Sequence, residues 1–212
     1  MKKVYFGIKE KRILGNLYNP IMKLIVTLPC EAAICGGFVR DVMRGKPFKD
    51  IDIVVGHGEM AFVQSKAAIL HTFPNATFEL HPKDGNYEDD RIDEVYTVVG
   101  LPVPMDLILL KETVYSKNDL IHDFDLNINQ CYLQHNKYGV FAYYDDSKYV
   151  QLINDVLPNP ERIGRLMAKY PMLIWDDVAR YFGKKEIENL KVADALPVNK
   201  ADLEDDEQKG WF

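Results

Sequence analysis

The sequence lacks the features that mark disulfide-rich, zinc-binding or membrane-spanning proteins. Its three cysteines, Cys30, Cys35 and Cys131, show no Cys-x-x-Cys or His-x-Cys spacing. An odd number without such spacing argues against a disulfide framework and against a zinc site. The most apolar runs, 21–28 and 105–110, are far shorter than the roughly 20 residues of a membrane-spanning helix. We therefore expect a cytoplasmic protein that makes no contact with a membrane.

Basic residues are scarce relative to acidic ones. The chain has 26 Lys and Arg against 32 Asp and Glu, which gives a formal net charge of −6. Proteins that coat duplex nucleic acid need a large basic face, so this balance argues against that class while leaving room for a local basic patch. The composition, 47% hydrophobic and 27% charged, is otherwise typical of a globular chain with a core.

Hydrophobic periodicity predicts a mixed α and β body followed by a shorter helical end. The predicted strands include 32–35, 51–55, 77–80, 95–99 and 105–110, of which the last two suit antiparallel neighbours. A predicted helix at 59–71 has an apolar stripe of Met60, Phe62, Val63, Ala67 and Leu70. We expect an α+β head at 1–157, a helical appendage at 158–195 with helices at 161–170 and 175–182, and an acidic, disordered tail at 196–212.

Two adjacent glycines, Gly36 and Gly37, separate a predicted strand from a predicted helix at 38–44. Glycines at the start of a helix leave backbone N–H groups unobstructed, and the helix dipole favours negative charge there. The pair is a candidate phosphate site. Taken alone, however, it is better explained as a plain tight turn.

Three acidic residues add to this feature. Side chains two residues apart in a strand project from one face, which predicts that Asp50 and Asp52 lie about 7 Å apart on the same side. If the strand that carries Asp106 lies beside 51–55, a third carboxylate comes close. Such oxygen ligands suit Mg²⁺. An arbitrary trio is better read as independent strand-end acids, but with the glycine turn these three form the layout of two-metal phosphoryl transfer.

The motifs around these residues resemble a known family. Gly36-Gly37-Phe38-Val39-Arg40-Asp41, followed by Lys49-Asp50-Ile51-Asp52, resembles the head domain of tRNA nucleotidyltransferases (CCA-adding enzymes) and bacterial poly(A) polymerases, within the DNA polymerase β-like superfamily. Asp125-Leu126-Asn127-Ile128-Asn129 is similar to the family's Asp-Phe-Thr-Ile-Asn. The run from Asn159 to Arg165 is similar to its Asp-Pro-x-Arg-x-x-Arg helix. The resemblance implies a polymerase β-like nucleotidyltransferase head, with a mixed sheet flanked by helices.

The resemblance also implies roles for individual residues. Asp50, Asp52 and Asp106 form an acidic triad that holds two Mg²⁺ ions and carries the catalysis. The residues implied to bind the nucleotide are Gly36, Gly37, Arg40, Arg162 and Arg165. The last two lie three residues apart and so on one helix face. Their spacing alone is equally compatible with a solvated helix face.

Two departures from the family pattern bear on the substrate. The family usually has Arg-Arg before its Asp-Phe-Thr-Ile-Asn segment, whereas this chain has Asp123 and Phe124. A phosphate-binding arginine is therefore absent or replaced, with His122 and Lys111 as candidates. The residues after Pro160 are also too few for the neck, body and tail domains with which a CCA-adding enzyme grips tRNA.

Aromatic residues towards the C-terminus suggest further contacts. Tyr143, Tyr144 and Tyr149, with Lys148, are a candidate stacking surface for single-stranded nucleic acid, although packing in strands explains them more simply. The acidic tail ends in Trp211-Phe212 and resembles the C-terminal tips of single-stranded-DNA-binding proteins, which dock on partner proteins. A solubilising tail is the alternative.

The sequence as a whole predicts a Mg²⁺-dependent nucleotidyltransferase. It would move a nucleoside monophosphate from a nucleoside triphosphate to an acceptor hydroxyl, with an RNA or tRNA 3′ end as the expected acceptor, and release pyrophosphate. One alternative is a catalytically weakened nucleotide- or RNA-binding protein that recruits a partner through its tail. Another is a toxin-like transferase that modifies protein or tRNA.

Overall fold

A computed structural model describes residues 1–81, 90–153 and 159–182. The chain forms two compact units, Met1–Ser147 and Lys148–Phe212. The predicted boundary near residue 157 and the predicted tail at 196–212 lie outside the described residues, so both stay predictions. Within the three described stretches, no helix has the length and apolar character needed to cross a membrane.

The first unit is built on one sheet. Its strands are β1 (Lys2–Tyr5), β2 (Ala32–Cys35), β3 (Ile51–Val55), β4 (Thr77–Leu80), β5 (Ile92–Val99), β6 (Met105–Leu110), β7 (Tyr132–Asn136) and β8 (Gly139–Tyr144). Its α-helices are α1 (Ile8–Leu14), α2 (Tyr18–Thr27), α3 (Gly37–Arg44) and α4 (Glu59–Thr72). Single turns of 3-10 helix cover Gly15–Leu17 and Asn127–Asn129.

The strands follow the order β1-β8-β7-β2-β3-β6-β5-β4. β3 and β6 pair in parallel, whereas the other neighbours in the described sheet pair antiparallel. A parallel pair needs a long crossover connection, and here α4, β4 and β5 lie between the two strands in the chain. The predicted mixed sheet with flanking helices is confirmed, as is the antiparallel pairing of the strands predicted at 95–99 and 105–110.

One face of the sheet packs against helices and forms the main core. Ile34, Ile53 and Leu107 lie on this face and are fully buried. They belong to one hydrophobic cluster with Leu24 of α2 and Phe38 of α3. Because strand side chains alternate, the residues between these three point to the other face.

The other face of the sheet, which we call the loop face, is partly covered by residues 111–125. Val54 and Leu110 on this face cluster with Leu120 and Ile121, and all four side chains are buried. Asp52 lies on the same face as Val54, two residues earlier in β3. The loop face therefore carries both a small apolar cluster and the predicted carboxylates.

The apolar stripe predicted for α4 is wrong except at Phe62, which packs against the core; Ala67 is exposed. Met60, Val63 and Leu70 are 68%, 52% and 40% exposed. The helix instead buries Ala61, Ser65, Ala68 and Ile69. The hydroxyl of Ser65 tolerates burial because it donates a hydrogen bond of 2.7 Å to the carbonyl oxygen of Ala61. The core side of α4 therefore combines three small side chains with Ile69, and Phe62 packs against the edge of the core.

The second unit contains two short helices, α5 (Pro160–Lys169) and α6 (Asp176–Ala179). The start of α5 is capped by Asn159, whose side-chain oxygen accepts a hydrogen bond of 2.8 Å from the backbone N–H of Glu161. Proline at the first helical position suits this geometry. Both predicted helices are present, although α6 is shorter than the predicted 175–182.

Lys66 on α4 lies among three aromatic rings. Its Nζ is 4.9 Å from the ring centroid of Phe62, 4.7 Å from that of Phe78 and 5.1 Å from that of Tyr96. The rings belong to α4, β4 and β5, so the ammonium group connects this helix to the edge of the sheet. All three rings are partly buried.

We expect Lys66→Gln to lower the free energy of unfolding by about 2 kcal/mol, since partly desolvated cation–π contacts lie at the upper end of their range. Lys137→Gln is the matched control, because the Nζ of Lys137 is 5.0 Å from the single ring of Tyr138, which is 73% exposed. This control should lose less than about 1 kcal/mol. Urea unfolding measures both variants. Equal losses would contradict the role given to the three rings.

Candidate active site

A glycine corner joins β2 to α3. Gly36 has φ 66° and ψ −132°, a region that is almost closed to other residues. Its N–H donates a 2.9 Å hydrogen bond to the carbonyl oxygen of Cys131, and its own carbonyl accepts one of 3.1 Å from the Cys131 thiol. Burial raises the pKa of that thiol to about 12, so the sulfur keeps the proton it donates. The corner is thus held by two hydrogen bonds to a single residue.

Asp52 and Asp106 lie side by side next to this corner. They are partners in the parallel register of β3 and β6, so their side chains project from the same face of the sheet. A Cβ atom added to Gly36 would lie 3.9 Å from Oδ2 of Asp52, which shows how close this carboxylate comes to the corner. Both aspartates are half-buried. The structure therefore brings together the glycine turn and two of the three predicted carboxylates.

Thr97 belongs to the same group, although the sequence analysis did not identify it. It is the β5 partner of Asp106, and its Oγ1 donates a hydrogen bond of 3.0 Å to Oδ1 of Asp106. This bond orients the carboxylate across the strand pair. The polarity of Thr97 is no signal by itself, since only the register of β5 on β6 places it opposite an aspartate.

Asp50 directly precedes β3, and the predicted approach of its side chain to Asp52 stays a prediction. The ladder begins with Ile51, whose N–H donates to the carbonyl oxygen of Pro104, so Asp50 precedes β3 and strand alternation does not orient its side chain. That side chain is 39% exposed and lies 3.8 Å from Nζ of Lys49. In the described part of the chain, no three His, Cys, Asp or Glu side chains group closely enough to hold a metal ion.

The donor set nevertheless fits Mg²⁺. This ion is usually bound by one or two carboxylates together with water and substrate phosphates, not by a cage of protein ligands. Asp52 and Asp106 supply two hard oxygen donors at the mouth of the glycine corner. Their position suits an ion that is shared between protein and substrate. The role of all three aspartates as metal ligands stays a prediction.

Phe124 is, like Thr97, a residue near the corner that the sequence motif does not predict. Its Cε2 lies 3.3 Å from the position of a Gly36 Cβ, which is tighter than ordinary contact. The ring therefore packs directly on the glycine, and this close approach is a further reason for glycine at position 36. The departure from the family pattern at residues 123 and 124 was the signal that marked this position.

Asp123 lies close to two side chains that can donate hydrogen bonds to it. Its Oδ2 lies 2.9 Å from Nη1 of Arg91 and 2.9 Å from Nε2 of His122. Only 15% of the Arg91 side chain is exposed. The other residue considered as a replacement for the missing arginine, Lys111, donates to the carbonyl oxygen of Asp90 instead. Arg91 and His122 are thus the side chains that contact Asp123.

Arg40 is buried in the first unit and is hydrogen-bonded to other side chains there. Its Nε donates a 2.7 Å hydrogen bond to Asp41, and its Nη1 donates to the side chain of Asn129. Asn129 in turn donates a 2.8 Å bond to Asp125. Arg40 is only 7% exposed, so the segment that matches the family at Asp125 to Asn129 holds this guanidinium in place. A contact between Arg40 and a nucleotide stays a prediction.

Arg162 and Arg165 are exposed on α5 of the second unit, where the neighbouring Ile163 and Leu166 are buried. The two arginines therefore share the solvent side of the helix, as their spacing predicted. Their contact with a nucleotide, like that of Gly37, stays a prediction.

Gly36→Ala tests the corner. The change should lower the free energy of unfolding by about 1–3 kcal/mol, because a residue with a Cβ is strained at this φ and ψ, and the new methyl group would press on Phe124. Gly7→Ala is the matched control, since Gly7 has φ −131° and its added Cβ would make an ordinary 3.7 Å contact. Urea unfolding should find the control close to wild type. Equal stability of the two variants would refute the strained corner.

No protein-family model matches the sequence, and no curated protein is significantly similar to it. The fold, however, is similar to that of several solved enzymes. A CCA-adding enzyme solved with CTP gives a TM-score of 0.51 and 17% identity, covering 78% of this chain and 41% of that one. Apo form I of a CCA-adding enzyme gives a TM-score of 0.51 and 16% identity, and the match covers 87% of this chain and 46% of that one. A complex of a tRNA-processing enzyme gives a TM-score of 0.50 and 17% identity, and the match covers 82% of this chain and 46% of that one.

The chain thus spans less than half the length of each of these enzymes. At such identities the similarity concerns the fold. On this evidence the chain has the fold of the nucleotidyltransferase head of CCA-adding and tRNA-processing enzymes.

Proposed function

We propose that this chain is a Mg²⁺-dependent nucleotidyltransferase that acts on an acceptor hydroxyl, with an RNA or tRNA 3′ end as the acceptor. The observation that carries the proposal is the alignment of Asp52 with Asp106 beside the Gly36 corner. Two ionised groups on one face repel each other, and such an arrangement becomes favourable when a divalent cation and a polyphosphate are bound. The solved enzymes of similar fold include a complex with CTP, which supports a nucleoside triphosphate as the donor.

The proposed reaction is one substitution at phosphorus. The acceptor oxygen forms a bond to the α-phosphorus of the triphosphate, the bond from that phosphorus to the bridging oxygen breaks, and pyrophosphate leaves with that oxygen. Bound Mg²⁺ would supply positive charge that lowers the pKa of the acceptor hydroxyl and stabilises the leaving pyrophosphate. Asp50, Asp52 and Asp106 would hold the metal, and Asp106, oriented by Thr97, would help to take up the proton of the acceptor.

The remaining predicted residues would bind the donor. Backbone N–H groups at Gly36 and Gly37 lie at the start of α3, where a phosphate is favoured by the helix dipole. Arg40 supports this corner from inside through Asp41 and Asn129. Arg162 and Arg165 would contact the base or phosphates, since guanidinium groups suit both.

A labelling experiment distinguishes this proposal from its alternatives. The purified chain is incubated with Mg²⁺, total RNA and each triphosphate in turn, labelled at the α-phosphate. Labelled RNA is the expected result. Labelled protein would indicate a protein-modifying transferase, and the absence of label in both would favour a nucleotide- or RNA-binding protein.

Asp52→Asn tests the catalytic assignment. We expect the variant to lose more than the roughly 10–100-fold in transfer rate that changes to the outer-shell partners of a metal cost, because Asp52 would contact the ion directly. The fold should remain, since the amide has the same size. Glu59→Gln is the control, because Glu59 follows the opposite end of β3 at the start of α4. An Asp52→Asn protein with wild-type turnover would overturn the assignment.

Arg91 is the best candidate for the phosphate-binding arginine that the motif lacks. It comes from the start of β5 and reaches the residue before Phe124, which packs on the glycine corner. Its guanidinium is largely removed from water, where a charge-assisted hydrogen bond is strong. We include in the proposal that Arg91, together with His122, attracts the phosphates of the donor.

We expect Arg91→Gln to raise the KM for the triphosphate about tenfold, which corresponds to the loss of one charge-assisted hydrogen bond, with a smaller effect on kcat. Arg12→Gln, at an exposed position on α1, is the control. Steady-state transfer at varied triphosphate concentration measures both. An unchanged KM in the Arg91 variant would remove this residue from the donor site.

A further inference from the structure

The register that aligns Asp52 with Asp106 continues across the sheet in the other direction. Asp52 is the partner of Cys35, Cys35 of Tyr132, Tyr132 of Tyr143, and Tyr143 of Lys3. Directly paired residues of neighbouring strands lie on one face, so this row runs from the candidate active site along the loop face to the edge strand β1.

The outer part of this row is aromatic, and two of the rings there are partly accessible. Cys35 and Tyr132 are buried in the cluster with Leu120 and Ile121, whereas Tyr143 is half-buried and Tyr5 is 41% exposed. Phe141 lies between them, with its ring centroid 5.4 Å from that of Tyr5 and 5.4 Å from that of Tyr143. We call Tyr5, Phe141 and Tyr143 the aromatic strip.

A lysine lies over this strip without a carboxylate partner. Nζ of Lys3 is 3.9 Å from the ring centroid of Phe141 and 5.1 Å from that of Tyr5. Among residues 1–81, 90–153 and 159–182 no acidic side chain pairs with Lys3. Its neighbour Lys2, on the other face of β1, does pair with Asp146. Phe141 itself is only 3% exposed and supports the rings on either side of it. The strip therefore combines the partly accessible rings of Tyr5 and Tyr143 with one lysine that has no acidic partner among the described residues.

Rings and a cation on one surface match single-stranded nucleic acid. Such proteins bind the bases by stacking on aromatic side chains and the backbone by positive charge. The net charge of −6 argues against a broad basic surface, and a local strip of this kind is a form of contact that is compatible with it.

We propose that the aromatic strip and Lys3 bind the single-stranded 3′ segment of a polynucleotide acceptor, upstream of the hydroxyl that reaches Asp52 and Asp106. This inference rests on the proposed function and specifies its acceptor. Three strand spacings separate Asp52 from Tyr143 and four separate it from Lys3, which is about 14 and 19 Å measured along the sheet. A chain of a few nucleotides spans this distance while crossing residues 120–124, which cover the middle of the row.

The packing of Lys3 on Phe141 also has a simpler explanation, because it attaches the edge strand β1 to β8. Strand alternation provides control residues that distinguish this structural role from a role in binding. Lys2 and Tyr144 are direct neighbours of Lys3 and Tyr143 in the chain, and are partners of each other on the opposite face. A purely structural role predicts a loss of stability, whereas a binding role predicts a change in affinity that is confined to one face.

The test measures binding of 5′-labelled single-stranded RNA and DNA oligonucleotides of one sequence to the full chain, by fluorescence anisotropy at several salt concentrations. We expect Tyr143→Leu to weaken binding at least about fivefold, as for the loss of one stacked base. Lys3→Gln should also weaken it and reduce the slope of log affinity against log salt by about 0.7, as for the loss of one phosphate contact. Lys2→Gln and Tyr144→Leu should bind like wild type. The melting temperature of each variant is recorded.

Binding of either oligonucleotide with losses restricted to Lys3 and Tyr143 supports the inference. Equal affinity in all four variants, equal losses in all four, or no binding of either oligonucleotide overturns it. Asp52→Asn should bind the oligonucleotide normally and fail to extend it. A wild-type chain that labels RNA but does not need Lys3 or Tyr143 would refute the strip and leave the proposed function intact.

Discussion

The parallel pairing of β3 with β6 is the contact on which the candidate site depends. It places Asp52 beside Asp106, and two adjacent carboxylates repel each other. The same strands bury Ile53 and Leu107 completely on the opposite face, and full burial of such side chains contributes about 1.5–3 kcal/mol each. The apolar face therefore offsets the repulsion on the polar face. The hydrogen bond from Thr97 further holds Asp106 in its orientation.

The motif residues hold this arrangement in place, in addition to any contact that they make with a nucleotide. Gly36 is required by its backbone conformation and by the approach of Phe124, and it is held by Cys131. Arg40 connects α3 to the segment that begins at Asp125, through Asn129. The motif that suggests nucleotide binding therefore also reflects packing. The corner must be rigid in order to present its backbone N–H groups in one direction.

The loop face links the two proposals made for this protein. Its middle is closed by the cluster around Leu120 and Ile121, which leaves polar groups at one side and the aromatic strip at the other. Because directly paired residues lead from Lys3 to Asp52 strand by strand, a substrate that follows this face would meet the rings and Lys3 before it meets the carboxylates. The fold similarity agrees with a nucleotidyltransferase head. The choice of acceptor depends on the residues of this surface and does not follow from the fold.

Local patterns in the sequence determined the strands, the glycine turn and the identity of Asp52 and Asp106, because alternation, turn chemistry and side-chain charge are properties of neighbouring residues. Only the tertiary structure decided which residues meet. It turned Met60 and Val63 of α4 towards solvent. It also brought Thr97 to the carboxylates, since register is set by the packing of distant strands and helices, and no single segment encodes it.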